Sequence, residues 1–358
     1  MFKSIAIKNF RCFDSITIDS LERINLIGGS NNVGKTALLE ALFLRFGLNS
    51  LELPLKLNLL RGMVGQETFD LQDICQWLFY DKRSDRLIQI TTTDEEERRS
   101  KLKLRLTTAV DLRYISLNYK LNQKRTIKDL ELEYNEGEET LIWKIFLTAD
   151  SEELEELKLG IKVEQGEIKL FPPSNFIGSR VRNYPPEDAE NFSKLEAEKR
   201  QKEVIEILKI LEPRLKDLAV LVTGGMATLY GDIGLNYLVP IPLMGEGMAR
   251  LLSIVLAIMN AADGTILIDE IENGLHHSVF EKIMEAIALA ARKSNVQIFA
   301  TTHSWECIEA AHEAFSKSEI YDFRYYRLEA DKKQNNLKVL TYNRETINTS
   351  VKMQLEMR

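Results

Sequence analysis

Three short apolar runs, each followed by small or polar residues, are the clearest elements of the hydrophobic pattern. They are Ile24–Ile27, Gly264–Ile268 and Val296–Ala300. Runs of this length next to turn-forming residues are typical of strands buried within a sheet. The first run is followed, across a glycine-containing loop, by the apolar helix-forming segment Ala37–Leu42. The pattern predicts an α/β fold in which several strands deliver polar residues to one edge of a sheet.

The middle of the chain follows a different pattern. Apolar and polar residues alternate in stretches of residues 87–170, such as Lys101–Leu106 and Tyr114–Tyr119, and a turn-like segment lies at Asn135–Glu138. Alternation with a period of two places apolar side chains on one face of a strand and polar side chains on the other. We therefore expect antiparallel strands with one solvated face.

A charged, helix-permissive segment follows Pro185-Pro186 and runs from Ala189 to Leu218. Its apolar positions recur at helical spacing and include Val204, Ile207, Leu208 and Leu211. One apolar stripe on a charged helix is typical of a helix packed on a core. The segment predicts a compact helical lobe.

Composition narrows the class of protein. The chain has 358 residues, of which 44% are hydrophobic and 28% are charged, as in ordinary globular proteins. Its first residues lack the layout of a signal peptide, and no apolar run reaches about eighteen residues, so we expect a cytoplasmic protein without a membrane partner. The widely spaced Cys12, Cys75 and Cys307 predict buried thiols and no zinc site. A net charge of -7 confines any contact with DNA to a local basic patch.

The loop after the first apolar run has the pattern G-x-x-x-x-G-K-[ST] over Gly29–Thr36. A loop between a buried strand and a helix directs backbone N–H groups at a phosphate chain, and Asn31 and Asn32 lie within it. Gly29 and Gly34 permit close approach, Lys35 supplies positive charge, and the Thr36 hydroxyl suits Mg²⁺. An accidental match in a glycine-bearing turn is the alternative. The flanking strand and helix favour binding of a nucleoside triphosphate.

The second apolar run ends in Asp269-Glu270, the pattern of a Walker B element. Asp269 is expected to hold Mg²⁺ together with Thr36, and Glu270 to polarise the attacking water. The alternative is a strand that merely ends in two solvated acids. The third run leads to His303, whose imidazole suits contact with the γ-phosphate or the water, although a histidine after a strand is often structural. We therefore expect ATP and Mg²⁺ as cofactors, with the choice between ATP and GTP open.

The segment Leu243–Arg250 precedes an apolar helix and contains Gly245 and Gly247. By itself it is compatible with an ordinary turn and helix start. Together with Gly29–Thr36, Ile266–Glu270, Glu272–His276 and Thr301–Ser304, it resembles the ABC-type ATPase heads of the RecF, SMC and OLD group. The Walker B segment is similar to that of the bacterial AAA-type ATPases of the OLD-like branch, and Ile5–Phe13 looks like their first strands.

The resemblance implies a P-loop NTPase of the ABC-ATPase head type. Its antiparallel β lobe and helical lobe are inserted between Walker A and the half that carries the signature and Walker B. The expected segments are residues 1–86 and 235–358 for the two halves of the ATPase core, 87–184 for the β region and 185–234 for the helical lobe. The resemblance also implies a head-to-tail homodimer that encloses ATP between subunits. In it, Gly245 and Gly247 start the signature helix, Asn273–His276 form the D-loop, His303 is the switch histidine, and Arg11 lies near the nucleotide.

Two departures from the family pattern concern the nucleotide site. Met244 replaces the serine expected in the ABC signature, and Glu246 replaces a glycine. The region expected to hold the Q-loop, Phe176–Arg180, contains no glutamine, which leaves a water or Ser179 as possible substitutes. The stretch after His303 is shorter than the TOPRIM nuclease domain of OLD proteins. We therefore expect any nuclease partner on a separate polypeptide.

Three functions fit these patterns. The first is an ATP-gated switch that dimerises and controls a separate effector, such as a nuclease or toxin in phage defence. The second is a RecF-like DNA clamp in repair, for which Lys101, Lys103 and Arg105 form a candidate basic stripe, although a solvated strand face explains these residues as well. The third is a scaffold that binds ATP without hydrolysis. The complete set Lys35, Thr36, Asp269 and Glu270 disfavours the third, and the acidic net charge disfavours the second.

Overall fold

The computed structural model describes residues 1–61, 74–108, 128–149, 157–167, 169–179, 185–331 and 336–353. The alternating segment Tyr114–Tyr119, Arg180 and Met357-Arg358 lie outside these ranges. Contacts group the chain into two compact units. Unit 1 comprises Met1–Ser20, Glu40–Phe171 and Ala330–Lys338, and unit 2 comprises Leu21–Leu39, Pro172–Glu329 and Val339–Arg358.

Unit 1 is built on a seven-stranded antiparallel sheet with the strand order β2-β1-β4-β5-β6-β7-β8. Its strands are β1 (Phe2–Phe10), β2 (Phe13–Asp19), β4 (Ile88–Asp94), β5 (Arg99–Thr108), β6 (Lys128–Glu136), β7 (Glu139–Ala149) and β8 (Leu157–Gln165). The sheet includes strands outside the expected region of residues 87–184, because β1 pairs with β4 and also with β2. Within that region, antiparallel strands are confirmed in the described part of residues 88–165, whereas Ser174–Ile177 pairs in parallel with Thr265–Ile268 and belongs to unit 2.

The two faces of this sheet differ as the alternating pattern predicts. Leu102 and Leu104 of β5 are buried, whereas Lys101, Lys103 and Arg105 share the opposite face. The Lys103 ammonium donates to Glu133 Oε1 at 2.6 Å, and Arg105 Nε donates to Glu131 Oε1 at 2.7 Å; both acids lie on β6. Two cations of the candidate basic stripe are therefore neutralised by the neighbouring strand, which favours the solvated strand face as the explanation of these residues.

The helices of unit 1 include part of α1 (Lys35–Phe46) and α2 (Leu53–Leu60). Arg45 of α1 is buried, and its Nε donates to Thr92 Oγ1 at 3.1 Å. The same guanidinium lies 5.1 to 5.6 Å from the ring centroids of Phe2, Phe46 and Tyr134. Cation–π contacts and hydroxyl acceptors partly replace the water that a buried guanidinium loses, so Arg45 fastens α1 to the sheet.

A six-stranded sheet, most of whose residues belong to unit 2, has the order β16-β15-β3-β14-β13-β9. Its strands are β3 (Ile24–Gly29), β9 (Ser174–Ile177), β13 (Thr265–Ile268), β14 (Gln297–Thr301), β15 (Phe323–Asp331) and β16 (Asn336–Tyr342). The strands from β15 to β9 are parallel, and every residue of β3, β13 and β14 is buried. The three apolar runs therefore form adjacent central strands, and their carboxyl ends meet at one sheet edge.

Helices and a small second sheet complete unit 2. The helices are α3 (Pro185–Ala197), α4 (Gln201–Leu208), α5 (Glu246–Met259), α6 (Phe280–Lys293), α7 (Trp305–Lys317) and α8 (Arg344–Lys352). The small sheet consists of β10 (Asp217–Thr223), β11 (Met226–Asp232) and β12 (Val239–Pro240). The helical lobe expected over 185–234 is therefore helical only in its first part, because residues 217–232 form a β-hairpin.

The buried core of unit 2 includes both central strands and helices. The helix α5 is buried at every position from Leu251 to Met259, and the apolar face of α6 packs in the same cluster.

Cys75 and Cys307 are buried as expected, but Cys12 is exposed, which corrects that part of the expectation. Of the helices that the structure describes, each is too short or too polar to cross a membrane.

Candidate nucleotide site

The loop Gly29–Thr36 connects β3 to α1, as its pattern predicts. Gly29 and Gly34 have φ angles of 131° and 98°, which favour glycine, and Asn32 is also left-handed at 62°. A Cβ on Gly29 would lie 2.4 Å from the carbonyl oxygen of Leu328, so the position admits no side chain. Asn31 and Asn32 are exposed at the turn of the loop. The loop has the backbone that a phosphate-binding turn requires.

Lys35 is buried at the start of α1, and its ammonium group folds back onto the loop. It donates to the carbonyl oxygens of Gly29 at 2.6 Å and Ser30 at 2.9 Å. Burial lowers the pKa of Lys35 to about 8, against the opposing effect of the carboxylates of Asp269, Glu272 and Glu270. Near neutral pH the side chain therefore carries the positive charge that a phosphate chain would meet.

Thr36 faces the Walker B acid. Its hydroxyl lies 3.3 Å from both carboxylate oxygens of Asp269, which is nine-tenths buried after β13. Two oxygen ligands at adjacent positions of an octahedral Mg²⁺ ion lie about 3 Å apart, because each Mg–O bond is about 2.1 Å. The Thr36 hydroxyl and the Asp269 carboxylate therefore fit a magnesium ion.

Glu270 and His303 come together beside this pair. Glu270 Oε1 lies 3.8 Å from His303 Nε2, and about two fifths of each side chain is exposed, 41% and 38% respectively. Glu270 has a φ angle of 51°, which is rare for a residue with a side chain. Both groups are thus accessible to a water molecule at the carboxyl edge of the sheet.

Two residues to which the sequence patterns assigned no individual role connect these elements. The Thr301 hydroxyl lies 2.7 Å from Asp269 Oδ1 and 2.8 Å from the Glu270 nitrogen. Glu272 Oε1 accepts a 2.6 Å hydrogen bond from the His303 backbone N–H. The sequence signal for Thr301 is its place directly after the apolar residues Ile298–Ala300 and two residues before His303.

The other expected site residues occupy separate places. Gly245 is the N-cap of α5, with a φ of 116°, and Gly247 lies in the first turn of that helix. Ser179 follows β9 beside the Walker B strand, and its carbonyl oxygen accepts from the Asn273 side chain at 2.7 Å. Arg11 lies in unit 1, where its Nε donates to Glu40 Oε2 at 3.1 Å. The role of Arg11 at the nucleotide stays a prediction.

A phosphate-binding loop, a Walker B acid and a parallel sheet that places both at one edge define a P-loop ATPase. A family model described as "AAA domain, putative AbiEii toxin, Type IV TA system" matches residues 24–308 of this chain. The match includes the Walker A loop, Asp269, Glu270 and His303. The chain belongs to this family.

Individual proteins with similar sequences are found in two organisms. An "ATP/GTP phosphatase" of Helicobacter pylori is 24% identical over 344 residues, covering 86% of this chain and 87% of that protein. An uncharacterized protein of Methanocaldococcus jannaschii is 38% identical over 77 residues, covering 22% of this chain and 68% of that protein. The likeness to the first extends over most of both chains.

Heads of SMC proteins are among the solved structures to which this chain is similar. The SMC head bound to the C-winged helix domain of ScpA has a TM-score of 0.49 and 11% identity, and the match covers 97% of this chain and 99% of that one. The SMC head domain from Thermotoga maritima has a TM-score of 0.42 and 11% identity, with coverage of 96% and 99%.

Proposed function

We propose that the protein is an ATP-hydrolysing switch that dimerises on ATP and controls a separate effector. The convergence of Lys35, Thr36, Asp269, Glu270 and His303 at one sheet edge supports this proposal most directly. The name of the Helicobacter pylori relative, ATP/GTP phosphatase, favours hydrolysis and keeps both nucleotides as candidate substrates. Release of inorganic phosphate from ATP and from GTP by the purified protein tests the activity.

Each residue has a distinct task in the proposed reaction. The loop amides and Lys35 would hold the β- and γ-phosphates, and Thr36 and Asp269 would hold Mg²⁺, which when bound would neutralise charge on the phosphate oxygens. The Glu270 carboxylate accepts a hydrogen bond from the attacking water and orients that water toward the γ-phosphorus. His303, 3.8 Å from Glu270, is placed to contact the γ-phosphate and to report its presence.

The start of α5 is the proposed contact with the partner subunit. Its N-cap is Gly245, so no side chain caps the N–H groups of the first turn. Leu243, two residues before the N-cap, is 77% exposed. An uncapped helix start attracts an anion such as a γ-phosphate. Met244 packs against the core of its own unit, so the backbone of Gly245 and Gly247 is left to make the contact that serine makes elsewhere.

Blocking this surface should uncouple ATP binding from hydrolysis. A Cβ on Gly247 would lie 3.8 Å from Leu275, an ordinary contact, so Gly247→Ala should fold and dimerise normally. Gly247→Trp adds bulk at the proposed interface, and we expect monomers that bind ATP but hydrolyse it at least about tenfold more slowly. Sedimentation velocity with ATP and phosphate release measure the two effects. Hydrolysis at the wild-type rate by the tryptophan variant would argue against a composite site.

The family description names the domain itself a "putative AbiEii toxin" of a type IV toxin–antitoxin system, and such a system favours a partner protein for this chain. A switch needs a partner that distinguishes the ATP-bound state from the ATP-free state. Proteins encoded by the neighbouring genes are the first partners to test, and a nuclease or toxin encoded there would be the expected effector. Binding that requires ATP and disappears in Lys35→Ala supports the switch, whereas ATP-independent binding contradicts it.

A DNA clamp of the RecF type is the second candidate, supported by the polar face of the unit 1 sheet. There, a concavity of about 650 Å³ is lined by hydroxyl and amide side chains and by the cations Lys8, Arg99, Lys101 and Lys103. Among the described residues, none forms an ion pair with Lys8, Arg99 or Lys101, whereas Lys103 pairs with Glu133, and Asp19 also lines the concavity. Phosphate groups are suitable ligands for such a surface.

Charge reversal on this face separates the two candidate functions. If the protein is a clamp, Lys8→Glu combined with Lys101→Glu should weaken ATP-dependent binding of duplex DNA by about tenfold or more at low salt. Lys202→Glu combined with Lys282→Glu, a charge reversal of the same size at exposed helix positions of unit 2, is the matched control. Fluorescence anisotropy at several salt concentrations measures the affinity, and ATP hydrolysis checks folding. If the wild type fails to bind DNA with ATP, the clamp is wrong.

A further inference from the structure

The Thr301 hydroxyl joins the two acids of the Walker B segment. Thr301 is the last residue of β14, it is 1% exposed, and its Oγ1 lies between Asp269 Oδ1 and the backbone nitrogen of Glu270. Its carbonyl oxygen accepts a third hydrogen bond, from the Ile271 N–H at 3.0 Å. One residue thus contacts three consecutive residues of the neighbouring strand end.

The direction of these hydrogen bonds follows from the chemistry of the groups. The Glu270 N–H is a donor only, so it must donate to Thr301 Oγ1. The single hydroxyl proton of Thr301 is then free to donate to Asp269 Oδ1, and an ionised carboxylate is an acceptor. The Thr301 hydroxyl therefore engages Asp269 Oδ1 and the backbone N–H of Glu270 at the same time.

The same contacts hold Glu270 in an unusual backbone conformation. Glu270 has a φ of 51°, and such a conformation persists where surrounding contacts fix it. The hydrogen bonds of Thr301 to the N–H groups of Glu270 and Ile271 lie on either side of the Glu270 side chain. They thus set the direction in which the carboxylate leaves the backbone toward His303.

We propose that Thr301 is the positioning residue that couples the metal-binding acid Asp269 to the water-activating acid Glu270. Its hydroxyl engages one oxygen of Asp269, leaving Oδ2 for Mg²⁺, and fixes the Glu270 turn. This inference rests on the proposed roles of the two acids in hydrolysis. A hydroxyl in this position links the geometry of metal binding to that of water activation, because one group contacts both.

Removal of the hydroxyl without change of shape tests the proposal. Thr301→Val retains the branched side chain, and partners of metal-binding residues typically contribute about tenfold to a hundredfold to activity. We expect kcat for ATP to fall within that range and the Mg²⁺ concentration for half-maximal activity to rise, while the Kd for ATP without metal changes by less than about threefold. Thr301→Ser restores the hydroxyl and should recover most of kcat.

Two further variants separate this role from simple support of the fold. Thr265→Val removes a buried hydroxyl at the amino end of β13, away from the acids, and should leave kcat unchanged. In a Glu270→Gln background, Thr301→Val should add little to the loss, because both changes remove the same positioned water. Full activity of Thr301→Val, failure of serine to restore it, or a loss that tracks thermal unfolding would overturn the inference. By contrast, wild-type turnover by Glu270→Gln would overturn the proposed function itself.

Discussion

Glu270→Gln should bind ATP as tightly as the wild type and hydrolyse it at least about a hundredfold more slowly, because a positioned general base contributes about that factor or more. Glutamine keeps the size and the backbone of Glu270 but accepts a proton poorly. The side chain is 41% exposed, so the change removes no buried packing. The uncleaved nucleotide should then accumulate in the enzyme.

This accumulation is also expected to trap the dimer. If the signature helix start of one subunit contacts ATP held by the other, the complex persists as long as the γ-phosphate does. Glu270→Gln with ATP should therefore sediment as a stable dimer, whereas the wild type should cycle between states. Glu285→Gln, an exposed acid on α6, is the matched control for loss of one negative charge. Wild-type turnover by Glu270→Gln would show that another group activates the water.

The parts of the site that the sequence predicts are those in which a local pattern determines the chemistry. Gly29–Thr36 encode their own turn, because the positive φ angles of Gly29 and Gly34 need glycine wherever the loop is placed. The apolar run before Asp269 likewise encodes a buried strand that ends in an acid. Both elements are confirmed as strand ends at one sheet edge.

The parts that the sequence did not predict depend on pairing between distant segments. The hydroxyl of Thr301 meets Asp269 only because β14 lies beside β13 in register, with Ala300 opposite Ile268. The ion pair between Lys103 and Glu133 likewise depends on the pairing of β5 with β6. The hydrophobic periodicity of a strand does not indicate which strand pairs with it. The ion pair of Lys103 and the contact of Thr301 with Asp269 can therefore be seen only in the structure.

Lys35→Ala should abolish tight ATP binding, because it removes the one buried positive charge contributed by the loop. Loss of a buried charged partner costs about 2 to 5 kcal/mol, which corresponds to at least about a thirtyfold increase in Kd. Alanine also releases the carbonyl oxygens of Gly29 and Ser30, which Lys35 now engages. Isothermal titration with ATP measures the loss, and thermal melting without nucleotide shows whether the variant folds.

The pKa of Lys35 makes this binding depend on pH in a direction that can be tested. Burial lowers the pKa to about 8, so the free protein carries the ammonium charge below pH 8 and loses it above. The phosphates of ATP stabilise the charged form of Lys35, so Lys35 must take up a proton when ATP binds at high pH. Affinity should therefore be constant below pH 8 and fall by about tenfold between pH 8 and pH 9.5. Lys35→Arg, whose guanidinium stays charged throughout, should bind more weakly but without this fall. Equal pH dependence in both proteins would assign the titration to a group other than Lys35.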